Sequence, residues 1–89
     1  MVTAGVTPAA ASAGGTCKAS WGVRPITRFV PDRLYTCAGG EGLQVICWQP
    51  GEMDGTGSNV WYRVRVVKAQ VTGWLHKTGT NGVKGAILC

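Results

Sequence analysis

The stretch ICWQPGEMDGTGSNVWYRVRVV, residues 46–67, decides how this chain is read. It ends in a run, Val60 to Val67, whose alternation puts Val60, Tyr62, Val64 and Val66 on one side and Trp61, Arg63 and Arg65 on the other, the pattern of a half-buried β-strand. It begins inside a second such run, LQVICW, in which Leu43, Val45 and Cys47 share one face and Gln44, Ile46 and Trp48 the opposite face. Between them lies QPGEMDGTGSN, with the turn formers Pro50-Gly51, Asp54-Gly55 and Ser58-Asn59 and almost no core-forming side chain. A connection of this length inside a small domain is commonly functional, because it is exposed and adaptable.

The same signals continue outward. RLYTC, Arg33 to Cys37, runs into the glycine-rich turn AGGEG, and VTGWLH, Val71 to His76, gives a further short strand. No stretch holds a helical period without interruption by Gly or Pro. The expectation is an all-β domain of about five short strands, in a barrel or a sandwich. His76, beside Lys77, reads as a surface residue at a strand end.

Eighty-nine residues are near the size where one core gives only a thin margin of stability, so covalent help is expected. Cys17, Cys37, Cys47 and Cys89 supply it: an even count without close cysteine pairs reads as two disulfides, formed in an oxidising compartment. Four cysteines allow three connectivities. The preferred pairing joins Cys17 to Cys37 and Cys47 to Cys89, which removes about 3 and 4 kcal/mol of unfolded-chain entropy in the loop-closure account. Widely spaced cysteines and a single histidine disfavour zinc, and neither metal nor cofactor is expected.

Residues 1–16 read as a signal-peptide remnant or flexible leader, with the domain over 17–89. MVTAGVTPAAASAGG has no charged and no aromatic side chain, and ASA before Gly14 has the small residues of an export cleavage site. No apolar run approaches the ~20 residues a transmembrane helix requires. The expected location is secreted, and the expected state a monomer.

The order LQVICWQPGE, NVWYRV and TGWL, with a glycine turn ahead of it, resembles the bacterial Src-homology-3-like domains of secreted and wall-associated proteins. Val23-Arg24-Pro25 stands where that family has its opening segment, Gly40 or Gly42 at its turn, and Trp61-Tyr62-Arg63-Val64 and Gly73-Trp74 at its two tryptophan motifs. The closing ILC is similar to the cysteine-terminated tail of exported members, which implies a bond between Cys89 and Cys47. The resemblance covers residues 20–89 and implies a five- to six-stranded SH3-like barrel stapled by two disulfides. Pro25-Ile26 in the opening motif, Cys37 at a usually apolar position and a long VRVVKAQVTG approach depart from the pattern.

On that reading Gln49 to Asn59 and Arg24 to Arg33 are the walls of a shallow groove. Trp61 and Trp74 offer flat apolar surface to a peptide or sugar. Glu52, Asp54 and Asn59 anchor ammonium or amide groups, and Arg24, Arg28 and Arg33 meet carboxylates or phosphates. Each residue also has a plainer role: the tryptophans Trp48, Trp61 and Trp74 as packing, Glu52 and Asp54 as solvated turn residues. Tyr62 belongs to the core, with its hydroxyl at the rim.

The net charge of +5 favours anionic partners, and Arg63 and Arg65 beside Trp61 are the best basic-aromatic patch. Nucleic acid is not an expected partner for an exported chain. Bridged cysteines leave no thiol nucleophile, and no triad or carboxylate pair is evident, so no enzyme is expected. Two readings follow: a wall-binding module that attaches to cell-wall polymer or peptide through its groove, or a small secreted inhibitor that inserts Gln49 to Asn59, with Met53 at the tip, into a protein target.

Overall fold

The computed structural model describes residues 13–89. Of the expected leader, residues 1–12 lie outside the described residues, while Ala13–Cys17 form the first strand, so the domain begins ahead of Cys17. The strands are β1 Ala13–Cys17, β2 Trp21–Val23, β3 Tyr35–Cys37, β4 Gly42–Pro50, β5 Val60–Val66, β6 Val71–His76 and β7 Thr80–Asn81, with one 3₁₀ turn at Lys77–Gly79. They form a five-stranded sheet in the order β6-β5-β4-β1-β7 and a two-stranded sheet, β2-β3.

All-β with two disulfides holds. The five- to six-stranded SH3-like barrel does not: the described residues form seven strands in two sheets that do not close into a barrel. Among the described residues the backbone pairing between the β2-β3 hairpin and the large sheet is the isolated bridge Arg24↔Trp74, where each backbone N–H donates to the other residue's carbonyl at 2.8 Å. On its far side β3 makes no ladder with β1. A disulfide, Cys17–Cys37, spans that seam instead. The second bond joins Cys47 to Cys89, so the structure has the preferred pairing.

One irregularity in β4 changes which residues share a face. The β4-β5 register pairs Leu43 with Val66 and Val45 with Val64, then shifts at a bulge between Val45 and Cys47, after which Trp48 pairs with Tyr62. An extra residue flips everything beyond it. Trp48 therefore shares the inner face with Leu43 and Val45, and Cys47 turns outward, the reverse of simple alternation. The inner face carries the core: Cys17, Val23, Cys37, Leu43, Val45, Tyr62, Val64, Val66 and Leu75, with Trp21, Trp48 and Val60 packed against it. Gly73 lies inward too, and a Cβ there would sit 2.6 Å from Val23 Cγ1 and 3.0 Å from the Arg24 carbonyl, so its bare Cα lets the hairpin approach β6.

Beyond β7 the chain returns along β4. Trp48 N–H donates to the Ile87 carbonyl and Cys89 N–H to the Trp48 carbonyl, both at 2.8 Å.

Candidate functional site

The outer face of the large sheet presents cross-strand rows. The row Gln49–Trp61–His76 lies at one end, and two segments, 24–33 and 49–59, fold over it. Trp61 is completely buried there. Its ring lies 4.8 Å from Phe29 and 5.0 Å edge-on from His76, centroid to centroid, and its indole N–H donates to the Glu52 carbonyl at 2.9 Å. Trp61 is thus the floor under both segments and presents no face to a ligand in this structure, so the expected platform is corrected to packing.

The two expected walls touch. Glu52 N–H donates to the Thr27 carbonyl at 2.9 Å, and Phe29 N–H donates to Glu52 Oε1 at 2.6 Å. A Cβ on Gly51 would fall 2.5 Å from the Thr27 carbonyl oxygen and 2.6 Å from Trp61, so glycine permits contact between backbones. The groove expected between them is filled by Phe29 and Trp61. Glu52 is a fastener of the two segments.

Asp54 organises the turn beyond. Its Oδ1 accepts from Thr56 N–H at 2.9 Å, Thr56 Oγ1 at 2.7 Å and Ser58 N–H at 2.9 Å. The Thr56 hydroxyl, then the Ser58 and Thr56 amides and nearby His76, hold its carboxyl below the ordinary aspartate value against the opposing effect of desolvation. His76 is fully buried, a correction to its expected surface position: the imidazole fills the space under Ser58. Its Nδ1 accepts from Thr78 N–H at 3.1 Å, which assigns the proton to Nε2, and Nε2–H donates to the Ser58 carbonyl at 3.0 Å. Asp54 Oδ2 lies 3.9 Å from Nδ1. Asn59 contributes its carbonyl, which accepts from Gly51 N–H at 2.8 Å. Met53 projects from this framework, 58% exposed, and Arg28 stands exposed on the facing segment.

Trp74 is half-buried in the next outer row. The Arg63 guanidinium lies over its ring, 5.5 Å from the centroid. One face of the expected platform is thus covered by a cation.

The concave site lies on the opposite, inner face. Trp48, Val60 and Tyr62 form its floor, and Lys77, Val83, Gly85 and Ala86 its rim, around about 250 Å³. Burial raises the Tyr62 phenol above the ordinary tyrosine value, and its hydroxyl has no hydrogen-bond partner among the described residues. None of the four acidic side chains forms an ion pair with Lys77. Sequence reasoning placed Tyr62 correctly in the core but missed this site. The bulge that turns Trp48 inward and the return of residues 83–89 leave no local pattern. The one available signal was the expected Cys47–Cys89 bond, which brings the closing segment beside β4.

All four cysteines are in disulfides, and both nitrogens of the one histidine are engaged. Among the described residues no group of three His, Cys, Asp or Glu could hold a metal ion, and no helix is long and apolar enough to cross a membrane. Comparison with family models, curated proteins and solved structures finds no match to this chain.

Proposed function

We propose that this chain is a non-catalytic extracellular binding module that recognises cell-wall peptide or glycan through the concave site on its inner face. The observation that carries the reading is that site: two aromatic rings and small apolar side chains around about 250 Å³, with Lys77 and a Tyr62 hydroxyl that has no hydrogen-bond partner among the described residues. Apolar floor and a few polar groups are the usual make-up of a small ligand site. Two disulfides in so short a chain support an oxidising, extracellular setting. The SH3-like reading rests on the strand motifs and on the Cys47–Cys89 bond that the resemblance implies, with the barrel opened at the β1–β3 seam.

Co-sedimentation of the oxidised protein with wall sacculi at ~150 mM salt, where surface attraction is screened beyond about 8 Å, tests it. Binding that survives salt and falls in folded Trp48→Leu and Lys77→Gln variants supports the reading. Binding that is absent, or indifferent to both, removes it.

A second reading is favoured by one observation. Met53 is held out by Glu52 and by the Asp54 hub, so 49–59 is a pre-organised protruding loop suited to an inhibitor of a protein target. Stoichiometric capture of one secreted protein, lost in Met53→Ala and kept in Lys77→Gln, would favour it.

A further inference from the structure

The outer face holds a second feature, independent of the concave site because it lies on the other side of the sheet. Trp74 pairs directly with Arg63 of β5 and, across the bridge that joins the hairpin, with Arg24. The row therefore reads Arg24–Trp74–Arg63, with Arg65 two residues along β5 on the same face. Arg33 covers Gly22 beside Arg24: a Cβ on Gly22 would meet Arg33 Cδ at 2.7 Å. Alternation puts Gly22 and Arg24 outward, since Val23 between them is fully buried. Four arginines thus gather on one face, from segments far apart in sequence.

Three of them are held in place. Arg63 rests over Trp74, and Arg65 donates to the Gln70 side chain, which itself donates to the Val67 carbonyl at 2.9 Å. Arg24 lies 5.6 Å over the Phe29 ring and donates from Nε to the Val30 carbonyl at 3.0 Å and from Nη1 to the Gly22 carbonyl at 2.9 Å. Of the four carboxylates, Glu41 is engaged by Tyr35 and Ala38 and Asp54 by its own turn, and no arginine here has an ion-pair partner among the described residues. Burial first, and then the charge of Arg33, lower the Arg24 pKa, while the carboxylate of Glu52 opposes them in part.

We propose that this arginine face binds an extended polymer of sugar or polyol units joined by phosphodiesters, a second binding site for the chain. An arginine fork meets the two free oxygens of a phosphodiester bidentately, and stacking on Trp74 fixes Arg63 while leaving its N–H edges available. A phosphodiester also keeps its charge at any ordinary pH. Single-stranded nucleic acid is disfavoured on the same geometry, because its bases stack on open aromatic faces, and here Trp61 is buried and Arg63 covers one face of the Trp74 ring.

The test is a titration of the oxidised protein with poly(glycerol phosphate), followed by tryptophan fluorescence at graded NaCl, beside poly-L-glutamate and an oligothymidylate of matched charge. Arg63→Gln and Arg33→Gln are expected to weaken poly(glycerol phosphate) binding more than about fivefold at low salt and to lower the slope of log K against log[salt] by about 0.7 each, the value for one phosphate contact on a flexible strand. Arg63→Lys is expected to keep the slope and still lose affinity, since charge remains and the fork does not. Lys18→Gln and Lys84→Gln, off this face, should bind within about twofold of wild type. The proposal is overturned if either lysine variant weakens binding as much as Arg63→Gln, if Arg63→Lys binds as wild type, or if poly-L-glutamate or the oligothymidylate binds as tightly. Lys77→Gln, which disables the concave site, is expected to leave this binding unchanged.

Discussion

The indole N–H of Trp61 donates to the backbone carbonyl of Glu52 at 2.9 Å, so the floor of the outer face is bonded to the loop that covers it. Removing the donor leaves a part-buried carbonyl without its partner. Trp61→Phe is expected to cost about 2 kcal/mol in urea unfolding, within the range for orphaning a buried polar group, and to speed amide exchange at Gly51 and Asp54. Unchanged stability would mean that water reaches the carbonyl and that the loop is not locked from below.

Acid should loosen the same loop. Asp54, through the Thr56 hydroxyl first, and Glu41, through the Ala38 amide and then Tyr35, are both held below their ordinary values. A carboxylate whose folded pKa is depressed contributes fully above its unfolded value and loses that contribution as pH falls through the folded one. Stability is therefore expected to be level down to about pH 4, near the ordinary carboxylate values, and to decline below it. Asp54→Asn and Glu41→Gln should each flatten that decline in denaturation curves collected against pH.

At the alkaline end the sign reverses. The Tyr35 hydroxyl donates to Glu41 at 2.9 Å, and this bond, then burial and the Glu41 charge, raises its pKa. A raised folded pKa means a contribution complete below the unfolded value of about 10 and lost as pH climbs through the folded one. Tyr35→Phe should lessen the alkaline loss, with Tyr62, raised by burial, supplying the remainder. Phenolate absorbance against pH distinguishes the two.

Gly73→Ala is expected to destabilise by about 1–3 kcal/mol, the usual range for overpacking, because the new methyl meets Val23 and the Arg24 carbonyl. The damage should concentrate in the hairpin. Faster exchange at the amides of Arg24 and Leu34 than at those of β5 would show it, and uniform loss would argue that hairpin and sheet unfold together.

Replacing Cys47 and Cys89 together by serine removes a closure of 42 residues, a loss of about 4 kcal/mol in the chain-entropy account. The equivalent change at Cys17 and Cys37 is expected to cost about 3 kcal/mol. Only the first should also reduce ligand binding at the concave site, since Val83, Gly85 and Ala86 of its rim lie on the segment that Cys89 fastens.

Strand alternation made β5 and the first half of β4 legible, because period-2 burial is a local property of the chain. It failed at Trp48, where one extra residue inverts the pattern and only the partner strand reveals it. Trp61 was assigned to the correct face but the wrong surroundings: alternation says which side a residue occupies, and cannot say that Phe29, thirty-two positions away, fills the space above it. The arginine face was half legible. Arg63 and Arg65 show themselves on one strand, whereas Arg24 and Arg33 join them only through a bridge between two sheets. The closed barrel expected from the resemblance failed at the single seam where a covalent bond replaces a ladder.

The two disulfides also fix how a pulling force would travel. Tension applied between Ala13 and Cys89 passes from Cys89 directly into Cys47, and from Cys17 directly into Cys37. The only covalent path under load is then β1 and the stretch from Cys37 to Cys47. Because Ala13 lies beside Val45 in the β1-β4 pair, that path opens by peeling, one residue pair at a time. Residues 48–88 hang beside it unloaded, with both β5 and β6 and the rim of the concave site among them. Pulled between Ala13 and Cys89, the fold would lengthen by a short, bounded amount while the sheet beyond Cys47 stays outside the loaded covalent path.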